Sequence, residues 1–235
     1  MQRKKINAFI YGRLDSSRFP RKTLAMLGDF TLLELLFERS KGCHFNDCYL
    51  LTSDRAIDDD LCHHADEIGL KYIRGDAYDL TQRTKKAIAK TDSEYFMRLN
   101  GDSPFIEPSL INFAVKSLGN AKFVSNIFHR TFPYGVAVEI INSEFYLASL
   151  EHDIQDSYLE HVTKHLYELR DQQGFVSIKQ DTNQANFQLV VDEPWQLKDL
   201  ELSTAGIDLI KCHYWEILGL QRPRFVKQLL AEGKY

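Results

Sequence analysis

Along the first hundred residues, short runs of apolar positions alternate with amphipathic stretches. The run INAFIY (6–11) has no polar alternation and predicts a strand covered on both faces. TLLELLFERS (31–40) carries helical spacing behind Thr31, which suits an N-cap. DCYLLTS (47–53) reads as a strand, and AIDDDLCHHADEI (56–68) as a helix stopped by Gly69, the residue most tolerant of the left-handed turn beyond a helix end. LKYIRG, LTQRTKKAIAK and EYFMRL (94–99) then predict strand, helix and strand. Beyond Phe105 the pattern loosens. PSLINFAVKSL reads as helical, KFVSN as strand-like, VAVEII (136–141) as a strand and SYLEHVTKHLYEL (157–169) as a helix. FQLVV (187–191) reads as a strand, and DEPWQLKDLEL as the start of a helix with Pro194 in its first turn. The remainder from Thr204 to Tyr235 predicts helix with a break at Pro223.

Repeated strand–helix units of this length predict an α/β fold with a parallel sheet covered on both faces. No linker, repeat or low-complexity segment divides the 235 residues, so a single domain over 1–235 is expected. In such sheets ligands bind beyond the carboxyl ends of the strands. The loops there are GRLDSSRFPRK, SDRAID, GDAYD and NGDSPF, and all are polar.

Charge narrows the candidates. With 29 Lys+Arg against 33 Asp+Glu, the net charge of −4 gives no nucleic-acid-like positive field, so no nucleic-acid partner is expected. The apolar stretch after the basic start is too short for a signal segment, and no window nears the ~18 apolar residues of a membrane span. A cytoplasmic protein without a membrane partner is the expectation. Cys43, Cys48, Cys62 and Cys212 form no CxxC pair. The grouping of Cys43-His44, Cys48 and Cys62-His63-His64 lacks the paired short gaps of structural zinc sites, which favours helix-borne thiols and imidazoles.

Against that acidic background, residues 12–22 concentrate Arg13, Arg18, Arg21 and Lys22 around Ser16 and Ser17. Guanidinium forks, hydroxyls and backbone N–H groups of this kind can wrap a polyphosphate. A solvated loop is the competing reading, and spacing alone leaves both open. The loop is neither a GxxxxGKS nor a GxGxxG motif. Asp102 and Asp192 each follow an expected strand, where each could cap the next helix. Brought together, they would suit Mg²⁺, a hard cation that takes one or two protein carboxylates plus substrate phosphates.

FIYGRLDSSRFPRKTLAMLG resembles the opening fingerprint of the cytidylyltransferases that activate acidic sugars, in the branch of spore coat polysaccharide biosynthesis protein F and its acylneuraminate and 3-deoxy-manno-octulosonate relatives. RLNGDSPFIEP, VSNIFHRTFPYGVAVEI, YLEHVTKHLYE and FQLVVDEPWQL resemble four later family segments in the same order, so the likeness spans residues 6 to about 200. Phe19, Gly12 and Arg21 replace the family's usual Leu, Ala and Gly, and Ala137 replaces an Asp two residues before Glu139.

The resemblance implies a Rossmann-like nucleotide-diphosphosugar transferase (GT-A-like) fold: three α/β/α layers around a mixed, mostly parallel sheet. It also implies an enzyme in which a hydroxyl of an acidic sugar attacks the α-phosphate of CTP, giving a CMP-sugar and pyrophosphate for surface polysaccharide biosynthesis. On this likeness Gly12, Arg13, Ser16, Ser17, Arg18 and Lys22 hold the triphosphate, Arg13, Arg18, Lys22 and Asp102 being catalytic, while Mg²⁺ sits on Asp102 and Asp192. Ser53 and Asp54 are candidates for the base and ribose, and Arg74 and Arg83 for further nucleotide contacts. Asn126, Glu139, Glu160 and His161 fall on the sugar side, within a 125–170 region expected to bind sugar and to face the second copy of a homodimer. Plain structural readings compete: Asp54 as a cap, Arg83 on a solvated helix face, His161 as a structural helix residue. Other functions that fit the fold are a glycosyltransferase using an Asp-x-Asp site, superficially matched by Asp58–Asp60, a nucleotidyltransferase acting on a sugar 1-phosphate, and a catalytically silent nucleotide-binding homologue.

Overall fold

The computed structural model describes residues 4–151, 161–169 and 173–230. In chain order the elements are β1 (Ile6–Tyr11), the short pair β2 (Met26–Leu27) and β3 (Phe30–Thr31), α1 (Leu32–Ser40), β4 (Asp47–Ser53), α2 (Asp59–Glu67), β5 (Lys71–Gly75), α3 (Leu80–Thr91), β6 (Tyr95–Asn100) and α4 (Pro108–Ser117). β7 (Phe123–Ser125), β8 (Glu139–Asn142), α5 (Ser143–Ser149), α6 (Lys164–Glu168), β9 (Phe175–Gln180), α7 (Pro194–Ser203), α8 (Tyr214–Ile217) and β10 (Phe225–Leu230) follow. One eight-stranded sheet runs β10-β9-β7-β8-β6-β1-β4-β5. Its β6-β1-β4-β5 half is parallel, while β8 runs antiparallel to both β6 and β7.

The strand β1 explains its own sequence. It pairs with β4 on one side and β6 on the other, and all six of its residues are buried. Ile6, Ala8 and Ile10 enter the core beneath α1, α2 and α4, whereas Phe9 and Tyr11 enter the core beneath α3, α5 and α6. Stacked and edge-on rings of Phe9, Phe96 and Tyr146 lie in the second of these, with centroids 5.4 and 5.1 Å apart. Thr31, Asp79, Glu107 and Asn142 accept backbone N–H bonds at the starts of α1, α3, α4 and α5, so side-chain caps time the exits from the strands.

Several expectations need correction. VAVEII contributes only its second half to β8; Val136 and Val138 are buried in the approach to it. FQLVV is not a strand of the sheet. It lies extended against the loop before β8, held by Tyr134 N–H to Phe187 O (2.8 Å) and Leu189 N–H to Tyr134 O (2.7 Å), with one bridge at Gln188. Leu189, Val190 and Val191 are buried without joining a ladder, while Phe187 is exposed, and in sequence such an apolar run looks the same as a strand. Within 157–169, residues 157–160 lie outside the described residues, and the helix begins at Lys164. Past Thr204, helix among the described residues is limited to α8, and FVKQLL forms β10, whose antiparallel ladder with β9 overrides its neutral local pattern. The strand β9 itself was not foreseen. Among the described residues no helix is long and apolar enough to cross a membrane.

Candidate active site

Two loops meet where β1 and β6 end. The Gly101 N–H donates to Tyr11 O (2.9 Å), and a Cβ on Gly101 would sit 3.0 Å from that same oxygen, so a side chain there would crowd the place where the loops after β1 and β6 touch. The loop of residues 12–22 is pinned from beneath by Asp58, whose buried carboxylate accepts from Leu14 N–H (2.8 Å) and from the Ser53 hydroxyl. Arg21 N–H donates to Leu14 O (2.9 Å) and closes the loop on itself. Arg21 stands at φ 60°, in the left-handed region, which gives a conformational reason for the glycine the resembling family uses there.

The closed loop forms one wall of a cleft of about 480 Å³. Gly12, Arg13, Ser16, Ser17, Arg18 and Lys22 line it, opposite Arg83 and Asp102. At its edge the Lys22 ammonium donates to Asp102 Oδ2 (2.8 Å) and to Asp192 Oδ1 (2.7 Å), and Arg18 Nη2 reaches Asp192 Oδ1 at 3.0 Å. Neither carboxylate is a helix cap. Glu107 caps α4 and Glu193 caps α7, the latter with Gln196 Oε1 accepting from the N–H groups of Asp192 and Glu193. Val191 N–H donates to Asp102 O (2.8 Å), which ties the two acidic segments together. Arg13 is anchored by Ala77 O (2.5 Å) and by Asp15, which also pairs with Arg55. Burial alone would raise the Asp15 pKa, but the Arg55 hydrogen bond and the charges of Arg13 and Arg55 hold it below the usual carboxylate range.

Two carboxylates from distant segments that share one ammonium are within reach of a single cation, and their hard oxygens fit a divalent metal whose other positions are filled by water and phosphate. No cluster of three His, Cys, Asp or Glu side chains forms a metal site among the described residues.

The other nucleotide-side candidates divide. Arg83 is buried, not a solvated helix residue, and donates to Asp76 O and Ala77 O at 3.1 and 3.3 Å, shaping the loop after β5. Arg74 braces the ends of β4 through Ser53 O (2.9 Å), Arg55 O (2.8 Å) and Asp59 (2.6 Å). The Ser53 hydroxyl is consumed by Asp58, and Asp54 is exposed without capping the turn that follows. The Asp58–Asp60 run is dispersed: Asp58 supports the loop, Asp59 pairs with Arg74, and Asp60 pairs with Arg21 at 2.9 Å.

On the sugar side, Asn126 is buried and bonds Val136 O (2.7 Å) and Val138 N–H (2.9 Å), so it braces the loop before β8. Glu139 and the exposed His161 line a second cleft of about 320 Å³. Glu160 lies outside the described residues. Four contributors escaped the sequence reading: Asp58 and Asp15, which hold the phosphate-side loop, and Arg98 and Tyr167, which hold Glu139. The only signal was position, since Arg98 lies on β6, four residues before Asp102 in the loop that follows it.

A cation-rich loop after the first strand, facing an acid beyond β6 and a second acid carried beside it by the segment of residues 187–191, fits a nucleotidyltransferase. The chain belongs to the cytidylyltransferase family, whose profile matches residues 8–201. It is 29% identical over 167 residues to spore coat polysaccharide biosynthesis protein SpsF of Bacillus subtilis, covering 67% of this chain and 68% of that protein. It is 34% identical over 115 residues to a 3-deoxy-manno-octulosonate cytidylyltransferase of Bacteroides thetaiotaomicron, covering 48% and 44%. Among solved structures, a cytidylyltransferase from Leptospira borgpetersenii superimposes with a TM-score of 0.87 at 25% identity, over 92% of this chain and 93% of that one.

Proposed function

We propose that the protein transfers the cytidylyl group of CTP to a hydroxyl of an acidic sugar, releasing pyrophosphate and giving a CMP-sugar for surface polysaccharide biosynthesis. The observation that carries this reading is the convergence of Lys22, Asp102 and Asp192 beside the loop of residues 12–22. Transfer of this kind needs little covalent help; positioning and neutralisation of phosphate charge lower most of the barrier. Arg18 and Lys22 turn from their carboxylates to the β- and γ-phosphates, and Arg13, fixed by Ala77 O, faces the same groups. Ser16, Ser17 and the loop N–H groups complete the cradle. Asp102 and Asp192 would hold Mg²⁺, which supplies Lewis-acid polarisation of the α-phosphate and acidification of the attacking hydroxyl. The likeness to 3-deoxy-manno-octulosonate cytidylyltransferases supports CTP as donor and an acidic sugar as acceptor. The family resemblance further suggests a homodimer, which light scattering tests.

Incubation with CTP, MgCl₂ and a panel of acidic sugars should release pyrophosphate and form a CMP-sugar. CTP binding without turnover on any acceptor, acidic sugars and sugar 1-phosphates included, would instead mark a silent homologue.

A further inference from the structure

The second cleft is built around an ion pair whose two members are in opposite condition. Glu139, 1% exposed, is saturated: Oε2 accepts from Arg98 Nη1 (2.6 Å), and Oε1 accepts from Thr163 Oγ1 (2.7 Å) and from the Tyr167 hydroxyl (2.9 Å). Tyr167 is itself fixed by Ser125 Oγ at 2.8 Å. Arg98 is unsaturated. Among the described residues only Nη1 is engaged; Nε is buried without a partner, and the side chain keeps 22% of its surface open. Burial closes Nε to a ligand, so the Nη2 N–H groups are the donors left over.

The surroundings set the sign of what those donors can take. Arg98, Lys164 and His161 line the cleft, and Glu139, already neutralised by Arg98, is its only carboxylate among the described residues. Lys164 and His161 are exposed at the wall. The strand β6 carries Arg98 four residues before Asp102, a span of at most about 14 Å between their Cα atoms. Arg98 pairs in register with Phe9 of β1, two residues before Tyr11 in the wall of the phosphate cleft. The two clefts therefore adjoin on one face of the sheet.

We propose that Arg98 is the residue that selects the acceptor, its Nη2 N–H groups taking a carboxylate of the sugar, while Glu139, Thr163 and Tyr167 act as a rigid mount that aims it. Glu139 is then a positioning residue and not a sugar ligand. This inference rests on the proposed transfer to an acidic sugar and adds how the acid is read. A guanidinium held in a fixed plane offers directed, charge-assisted N–H donors, whereas a lysine would offer only a mobile point charge.

The test compares acidic sugars, the same sugars with the carboxylate converted to an amide, and sugar 1-phosphates, in the wild type and in Arg98→Gln, Arg98→Lys and Glu139→Gln. The wild type should favour acid over amide by roughly 10–150-fold in kcat/KM, the range of one charge-assisted bond. Arg98→Gln should raise the acceptor KM by that factor and bring the acid-to-amide ratio near one, with CTP affinity within twofold of wild type. Arg98→Lys should recover only part of the ratio, and Glu139→Gln should lower it without abolishing it. If Arg98→Gln fails to fold, the paired Arg98→Gln/Glu139→Gln variant, which leaves no uncompensated buried charge, replaces it. An unchanged acid-to-amide ratio in the arginine variants overturns the role of Arg98 while leaving the proposed activity standing. Preference for a sugar 1-phosphate overturns the carboxylate assignment. Absence of turnover on any acidic sugar removes the proposed function itself.

Discussion

On the proposed metal site, Lys22 stands where a divalent cation would bind, and replacing it with methionine tests what displacing it would cost the metal. Its ammonium bridges Asp102 and Asp192 at 2.8 and 2.7 Å, with the lysine side chain 12% exposed and each carboxylate 24% exposed. Removing one partner from a fully buried ion pair costs ~3–5 kcal/mol. Here the carboxylates keep some solvent and Arg18 still reaches Asp192, so we expect roughly 1–2 kcal/mol. For a chain of this size that lowers Tm by about 2–8 °C. Added MgCl₂ should restore more Tm in Lys22→Met than in wild type. The same energy is what a metal must overcome to displace the ammonium, so without nucleotide Mn²⁺ should bind the variant about 5–30-fold more tightly, measured by calorimetry or by the spectrum of the free ion. Inorganic triphosphate, which draws Lys22 away, should raise Mn²⁺ affinity of the wild type by more than it does in the variant. Equal Mn²⁺ affinities in wild type and variant, with no triphosphate dependence, would refute the shared-site reasoning.

Four further outcomes follow from named contacts. Asp102→Asn should abolish metal-dependent pyrophosphate release while circular dichroism stays native; normal turnover would remove Asp102 from the site. Gly135 stands at φ 93° with a virtual Cβ 2.6 Å from Leu189 O, so Gly135→Ala should push the 187–191 segment outward, costing about 1–3 kcal/mol and weakening Mn²⁺ binding through Asp192; an unchanged Tm would contradict this. Arg21→Gly relieves the left-handed backbone and loses only an exposed pair with Asp60, so denaturant melts should show up to about 1 kcal/mol of added stability and not a loss. His165 is desolvated, which lowers its folded pKa despite the charge of Glu168. The unfolded chain therefore binds the proton first, so this contribution to stability is intact above about pH 6.5 and is lost as pH falls below it; His165→Gln should flatten that part of the pH–stability curve.

The sequence showed the amino-terminal half clearly because local and global signals agree there. Thr31 caps the helix its position announced, Gly69 ends the next one, and the unbroken apolar run of residues 6–11 is the strand with neighbours on both sides. Past residue 120 the signals separate. The run of residues 187–191 and the strand β1 have the same texture, yet only β1 finds ladders on both edges; the later segment meets the backbone at Gly135, where a close glycine contact replaces a strand pairing. β10 is a mostly exposed edge strand with no buried face to imprint a period on its residues.

The site shows the same division at the scale of single side chains. Asp58, Asp59 and Asp60 are identical in chemistry and adjacent in sequence, but one is a buried brace for the phosphate-side loop and the others end in separate ion pairs with Arg74 and Arg21. Composition marks all three as solvent-facing acids, and only the crossing of the loop after β1 over the end of β4 distinguishes them. Arg98 is the converse case. Inside an apolar strand it reads as an interruption, and its meaning comes from Glu139, a residue 41 positions away on a strand that runs the other way. A buried acid that already has its full set of donors has no capacity left for a ligand; the guanidinium beside it does. The loop of residues 12–22 could therefore be read from consecutive letters, whereas the acceptor selection proposed above would depend on a pairing that exists only after the antiparallel strand has been inserted beside β6.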